Sequence, residues 1–262
     1  MYFLDFHNHT NHSFDSQAVM EEVCKVAIGK GLNEICFTEH YSLNPKAPTY
    51  GHIDLNNYLS DLNSCQLKFQ GEIKIKKGIE ICEPHLLKEH YSKTLKPLEL
   101  DVILGSVHNI SNNKLRKRLE VQQEKAYMEY FQEVYEMVKE ADIDIVAHLD
   151  LMKRYAHKVY GTYDFIEHRE MIEIILSKII DRNIGIEINT SGLRTSLNET
   201  LPSIDVIRLY KKLGGEILTI GSDSHEPDSI GSYVKEGIKL AKEFGFNYIF
   251  SFEKRKPIPI KI

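Results

Sequence analysis

The sequence predicts an α/β fold in which about seven parallel strands close into a TIM-like barrel. Two observations predict it. Short apolar runs rich in β-branched and aromatic residues alternate with longer stretches of helical periodicity, from one end of the chain to the other. No Pro/Gly/Ser-rich linker, low-complexity segment or short-period repeat divides the 262 residues, which predicts a single domain spanning 1–262. A doubly wound open sheet is the alternative topology. The sequence lacks both a Gly-x-Gly fingerprint and a Walker loop, which weighs against a nucleotide-binding sheet.

The elements follow in order. The first strand runs from Tyr2 to Phe6, and helical periodicity covers Ala18 to Lys30, with Gly31 where a left-handed residue would end the helix. The second strand, Glu34 to Thr38, precedes a long loop and a helix over Leu55 to Phe69 that Asp54 can cap. Ile73 to Ile79 and Val102 to Val107 read as the third and fourth strands, with a helix over Val121 to Glu140. Ile143 to Ala147 is the fifth strand and Met171 to Arg182 its helix. Gly185 to Ile188 is the sixth strand, followed by a helix over Ile204 to Leu213 between a Ser203 cap and Gly214. Ile217 to Ile220 is the seventh, followed by a helix over Tyr233 to Phe244 that ends at Gly245. A late strand is predicted over Tyr248 to Phe252.

Composition narrows the function. With 42% hydrophobic residues the chain can bury one large core or two modest ones. Its formal net charge of −5, with acids and bases interspersed, provides neither a nucleic-acid footprint nor a polybasic membrane tract, so the expected partner is a small molecule. No apolar run approaches a membrane span, and the start Met1-Tyr2-Phe3-Leu4-Asp5 lacks a basic leader, so a cytoplasmic protein is expected. Cys24, Cys36, Cys65 and Cys82 form no Cys-x-x-Cys pair and read as buried structural thiols.

The chemistry sits at the strand ends. His7 and His9 follow the first strand, His40 the second, His108 the fourth, His148 the fifth and His225 the seventh, while Glu80 closes the third strand and Asp223 follows the seventh. In a βα barrel these ends converge on one face. A lone histidine at a strand end is usually a hydrogen-bonding loop residue, but the joint pattern is not ordinary. His7-x-His9 places two rings on one side of an extended segment, and Asp223-x-His225 repeats the spacing. Imidazoles with carboxylates and no thiolates suit zinc, iron or manganese in a hydrolytic, polynuclear site. His12, His52, His85, His90, His157 and His168 fall in loops or helices.

Arg154 and Arg194 follow the fifth and sixth strands and are the candidate phosphate holders, because a guanidinium fork matches phosphate oxygens. The alternative for each is a surface ion pair. Arg116-Lys117-Arg118 reads as a solvated or substrate-attracting rim. The Pro-punctuated loop from Asn44 to His52 is expected to narrow the cleft, with Tyr50 or His52 touching the organic part of the substrate.

These residues resemble the PHP (polymerase and histidinol phosphatase) family of metal-dependent phosphoesterases. The likeness rests on Asp5-Phe6-His7-Asn8-His9-Thr10, Thr38-Glu39-His40, Gly78-Ile79-Glu80, Gly105-Ser106-Val107-His108, Val146-Ala147-His148 and Gly221-Ser222-Asp223-Ser224-His225, in the family's order. The resemblance implies a distorted (β/α)7 barrel holding three divalent ions. It assigns His7, His9, Glu80 and Asp223 to the first, Glu80, His108 and His148 to the second, and Asp15, His40 and His225 to the third. Many family members have His where this chain has Asp15. Asp there, within Ser13-Phe14-Asp15-Ser16, is similar to the histidinol-phosphatase branch, and His12 is the competing ligand three residues away. The segments His148 to Arg154 and Asn189 to Arg194 are similar to the same branch, in which the two arginines hold the substrate phosphate.

The implied activity is hydrolysis of a phosphate monoester, L-histidinol phosphate first, with Glu80 bridging two ions and Asp223 or His225 supplying a proton to the leaving alcohol. The alternatives are a general phosphomonoesterase or nucleotide phosphatase on the same site, a nuclease or editing domain, and a non-enzymatic metal-binding barrel. The acidic net charge and the absence of Trp argue against the nuclease, and the completeness of the ligand set argues against the non-enzymatic barrel.

Overall fold

A computed structural model describes residues 2–121 and 123–262. Seven parallel strands form the wall: β1 (Leu4–Asp5), β2 (Glu34–Phe37), β3 (Lys74–Cys82), β4 (Val102–Ser106), β5 (Ile145–Val146), β6 (Gly185–Asn189) and β7 (Leu218–Gly221), hydrogen-bonded in that order. The wall closes beyond β1, where Phe6 N donates to Ile220 O at 2.9 Å and Asp223 N donates to His7 O at 2.7 Å. Asn8 and Ser224 add a parallel bridge at the same seam. The predicted TIM-like barrel is therefore what the chain forms, in its seven-stranded, distorted version.

The helices are α1 (Met20–Gly29), α2 (Leu55–Lys68), α3 (Lys88–Leu95), α4 (Leu115–Val121), α5 (Gln123–Glu140), α6 (Met152–Ala156), α7 (Phe165–Asp181), α8 (Ile204–Lys212) and α9 (Val234–Glu243). Gln122, inside the helix predicted over 121–140, lies outside the described residues. Asp54 caps α2 as predicted, accepting from Asn56 N and Asn57 N. Ser203 occupies the cap position of α8 without a side-chain cap bond, because its hydroxyl is paired with Tyr163 OH at 3.1 Å. The short helices α3, α4 and α6 carry too little periodicity to be read from sequence. No helix among the described residues is long and apolar enough to cross a membrane.

The core lies between wall and helices. Ile79, Leu104, Ile145, Ile186 and Leu218 on the strands pack with Phe131, Val134, Ile175, Ile179, Val206 and Ile238 on the helices, all essentially without solvent contact. Tyr58 on α2 is fully buried, and its hydroxyl donates to Gly78 O and Phe37 O. A buried phenol needs such partners.

The late strand (β8, Tyr248–Glu253) pairs with Lys256–Lys261 (β9) in an antiparallel hairpin instead of extending the wall. The hairpin covers the barrel end where the strands begin. Phe252 approaches Phe6 with ring centroids 6.4 Å apart, Ser251 Oγ donates to Glu34 Oε1, and Arg255 N donates to Asp101 O at 2.9 Å. On β9, Pro257 pairs with Phe252 and Pro259 with Phe250. A proline sits in a paired strand only where its nitrogen faces away from the partner.

Candidate metal centre

All six strand-end histidines meet at the opposite, open end. Glu80 is the hub. Strand β3 runs three residues further than predicted, to Cys82, so Glu80 is held inside the sheet, level with His40 of the short segment His40–Tyr41. Its Oε2 lies 2.7 Å from His40 Nδ1, 3.4 Å from His7 Nε2 and 3.6 Å from His9 Nε2. Its Oε1 lies 2.9 Å from His148 Nε2 and 3.6 Å from His108 Nε2. Asp223 Oδ1 faces the first pair again, 3.6 Å from His7 Nε2 and 3.5 Å from His9 Nε2. Asp15 Oδ2 lies 3.5 Å from His40 Nε2 and 3.4 Å from His225 Nε2.

These separations fit metal ligation. Donors about 2.1 Å from a tetrahedral ion lie about 3.4 Å from one another. Ligand atoms converge within 4.8 Å in the triads His7–His9–Glu80, Glu80–His108–His148, His7–His148–Asp223 and His9–His40–His225. His7 Nε2, His9 Nε2 and Glu80 Oε2 are buried without a hydrogen-bond partner, an arrangement that costs stability unless a cation satisfies it. His12 Nε2 faces Asp61 Oδ2 at 3.0 Å, whereas Asp15 faces His40 and His225.

The charges support the same conclusion. Burial alone would raise the Glu80 carboxyl, but His40, His7 and His108 hold it well below the usual carboxylate range. Burial likewise opposes ionisation of Asp223, and Arg154 and His7 outweigh it. His108 is pushed down to about 3, chiefly by burial, which leaves a neutral imidazole free to ligate.

Outer residues aim the ligands. The residue that sequence reasoning missed is Glu187, fully buried in the middle of β6. Its Oε1 lies 2.8 Å from His7 Nδ1, and its Oε2 accepts from His148 N at 2.8 Å and Asn189 Nδ2 at 3.1 Å. One carboxylate thereby fixes two ligand-bearing segments and leaves His7 Nε2 toward Glu80. A charged residue in the otherwise apolar run Ile186-Glu187-Ile188 was the signal available. The space for it comes from Gly221, where a Cβ would sit 2.1 Å from Glu187 Oε1 and 2.4 Å from His7 Cβ. Glu187→Gln is expected to keep the fold and to weaken metal affinity by about 10–100-fold, read by competition with a chelator; an unchanged affinity would remove Glu187 from the centre.

Glu39 performs a similar task for the loop after β1, accepting from Thr10 N and, at 2.6 Å, from Ser13 Oγ, which in turn lies 3.1 Å from His9 Nδ1. Glu83 accepts from His108 N at 2.6 Å, and burial pushes its carboxyl up to about 7. His148 and Asp223 adopt left-handed backbones, with φ of 28° and 52°, conformations that persist where neighbours over-determine them.

The two arginines differ in placement. Arg154 Nη2 donates to Asp223 Oδ2 at 2.6 Å and to Ser191 Oγ, and the side chain lines the cavity over the histidines. Arg194 does not line it, because its fork is spent on Ser222 O at 2.6 Å and Asp223 O at 3.2 Å. The cavity, about 460 Å³, is walled by Phe14, Pro48, Thr49, Leu115, Arg116 and Tyr155 around the metal ligands. Tyr50, 52% exposed, and His52 point elsewhere, so the predicted loop contributes through Pro48 and Thr49. Arg116 is indeed at the rim, with its guanidinium 5.3 Å from the Tyr155 ring centroid. Cys24, Cys36 and Cys65 are core thiols, whereas Cys82, two residues from Glu80 on the same strand face, lines the cavity with Sγ 3.2 Å from His108 Nδ1.

A closed barrel whose strand ends deliver six imidazoles and several carboxylates to one cavity defines a barrel with side-chain clusters able to hold metal. The PHP domain pattern matches residues 5–191, and the chain belongs to that family. It is 32% identical over 256 residues to a Clostridium acetobutylicum protein named "Probable histidinol-phosphatase", covering 96% of this chain and 97% of the relative. It is 29% identical over 258 residues to the Lactococcus lactis histidinol-phosphatase, covering 97% and 95%. The crystal structure of the histidinol phosphate phosphatase from Lactococcus lactis, complexed with zinc, L-histidinol and phosphate, superposes with a TM-score of 0.90 at 28% identity, covering 98% of each chain.

Proposed function

We propose that the chain hydrolyses L-histidinol phosphate to L-histidinol and phosphate at a centre of three divalent ions, zinc, iron or manganese. The observation that carries the reaction class is the placement of Arg154 beside Asp223, on the wall of the same cavity whose floor is the Glu80-centred donor cluster. The organic part of the substrate is supported by the full-length likeness to the Lactococcus lactis complex. His7, His9, Glu80 and Asp223 would hold one ion, Glu80, His108 and His148 a second, and Asp15, His40 and His225 a third. Bound ions supply Lewis acidity at the phosphoryl group and lower the pKa of water.

The chain's own residues supply orientation and charge. Arg154 presents its guanidinium to the phosphoryl oxygens and stays cationic in its pair with Asp223. Arg194 positions the Ser222–Asp223 backbone and acts on phosphate through that segment. Asp223, kept ionised by Arg154 and His7, serves as a ligand and not as the acid. His225 stands at the cavity edge, where the bond of its Nδ1 to Asp223 O at 3.1 Å turns Nε2 toward Asp15, as a ligand of the third ion requires. Tyr155, Leu115 and Pro48 screen the phosphoryl group from bulk water.

Lys114 and Arg116 on the rim favour a second reading, a broader phosphomonoesterase that accepts substrates with an anionic organic part. One experiment separates the two: phosphate release from L-histidinol phosphate, nucleotides and sugar phosphates, before and after chelation. The expected result is preferential turnover of histidinol phosphate, abolished by chelator and restored by added zinc or manganese. Preferential turnover of a nucleotide would overturn the substrate, and chelator-resistant turnover would overturn the metal centre.

A further inference from the structure

Helix α6 has five residues, too few to hold itself together in water, yet it carries Arg154. Something outside the helix must fix its orientation. The residue before Arg154, Lys153, has no solvent-accessible side-chain surface, and its Nζ lies 3.0 Å from Glu199 Oε2 and 3.1 Å from Asp150 Oδ2. A lysine without water persists only when its charge is met. Each carboxylate leads to a different part of the barrel mouth. Asp150 Oδ2 also accepts from Tyr163 OH at 2.8 Å and from Ser203 N at 2.9 Å, which ties the base of α6 to the start of α8.

Glu199 leads to the other phosphate loop. Its carbonyl oxygen would sit 2.2 Å from a Cβ at Gly192, so its backbone rests directly on the Ser191–Arg194 turn. Ser191 in that turn accepts from Arg154, and Arg194 holds Ser222 and Asp223. A second strut runs parallel, from His157 Nε2 to Ser196 Oγ at 2.9 Å.

We propose that Lys153 is a positioning residue: by bonding Glu199 it clamps the Arg154 helix to the Ser191–Arg194 turn, so that the two arginines and Asp223 present one fixed phosphate seat. The clamp rests on the reading that Arg154 holds phosphate. Without the Lys153 charge the five-residue helix and the turn are joined by the Arg154–Ser191 bond itself and the exposed His157 strut, and Arg154 samples positions off the phosphate.

The test measures inhibition by inorganic phosphate together with bound metal and Tm, in Lys153→Met, Glu199→Gln and Arg154→Met. Glu199 is half exposed, so its variant reports even where Lys153→Met fails to fold. The clamp predicts that Glu199→Gln and Lys153→Met raise the phosphate Ki by about tenfold with metal content unchanged. It also predicts that Glu199→Gln adds nothing in the Arg154→Met background, since both act through one guanidinium. A lowered Tm with an unchanged Ki, or effects that add in the double variant, overturns the clamp while leaving the phosphate seat standing. An unchanged Ki in Arg154→Met overturns the seat and the clamp together.

Discussion

Glu80→Gln is expected to lower kcat/KM by at least about a thousandfold, a loss of about 4 kcal/mol of transition-state stabilisation, and to release metal. The size follows from geometry. Among the described residues, Glu80 is the one side chain whose two oxygens address five histidines, with His40, His7 and His9 on one side and His148 and His108 on the other. The amide substitution removes the negative charge and turns one oxygen into a donor facing imidazole nitrogens, so the two proposed ion positions would lose their shared ligand at once. The fold should survive, because the β3 backbone at this point is held by pairing with Leu104. Elemental analysis and phosphate release on the same sample check it. A variant that keeps its metal and most of its turnover would show that Glu80 is a structural acid and that the centre is organised around another residue.

Arg154→Lys is expected to cost about a hundredfold in kcat/KM even though charge is conserved, and Arg154→Met more. The guanidinium reaches Asp223 and Ser191 from one nitrogen and leaves the rest of its fork toward the cavity. An ammonium is a point charge and cannot hold Asp223, Ser191 and a phosphoryl oxygen in fixed directions. Metal content should stay near that of the parent, because Arg154 touches Asp223 Oδ2 while the histidines face Oδ1. Full activity in the lysine variant would reduce Arg154 to an electrostatic bystander.

The donor cluster was legible in the sequence because a strand ends where its apolar alternation stops, and here histidines occupy those stops: His7, His40, His108 and His148 each stand two or three residues past a wall strand. Other features left weaker traces. Glu187 is a single acid inside an apolar strand, and one residue does not reveal which face it takes. Arg194 follows the sixth strand as read, but its guanidinium is absorbed by backbone carbonyls, and no spacing rule shows how a side chain divides its donors. Tyr50 and His52 were chosen for chemistry, whereas the loop turns them outward and buries Thr49 beside Pro48. The β8–β9 hairpin was half seen, because its turn residues Lys254 and Arg255 take positive φ without the Gly, Asn or Asp that normally signals such a turn, and Pro257 and Pro259 spoil the strand pattern.

Those two prolines bear on how copies of the chain coexist in a crowded solution. A free strand edge is a template, since its outward N–H and C=O groups can recruit a strand from any neighbour and begin fibrillar stacking. The outer edge of β9 offers no donor at residue 257 or 259, and lysines flank it at 256 and 261. The apolar plug that closes the barrel can thus face solvent without seeding polymerisation.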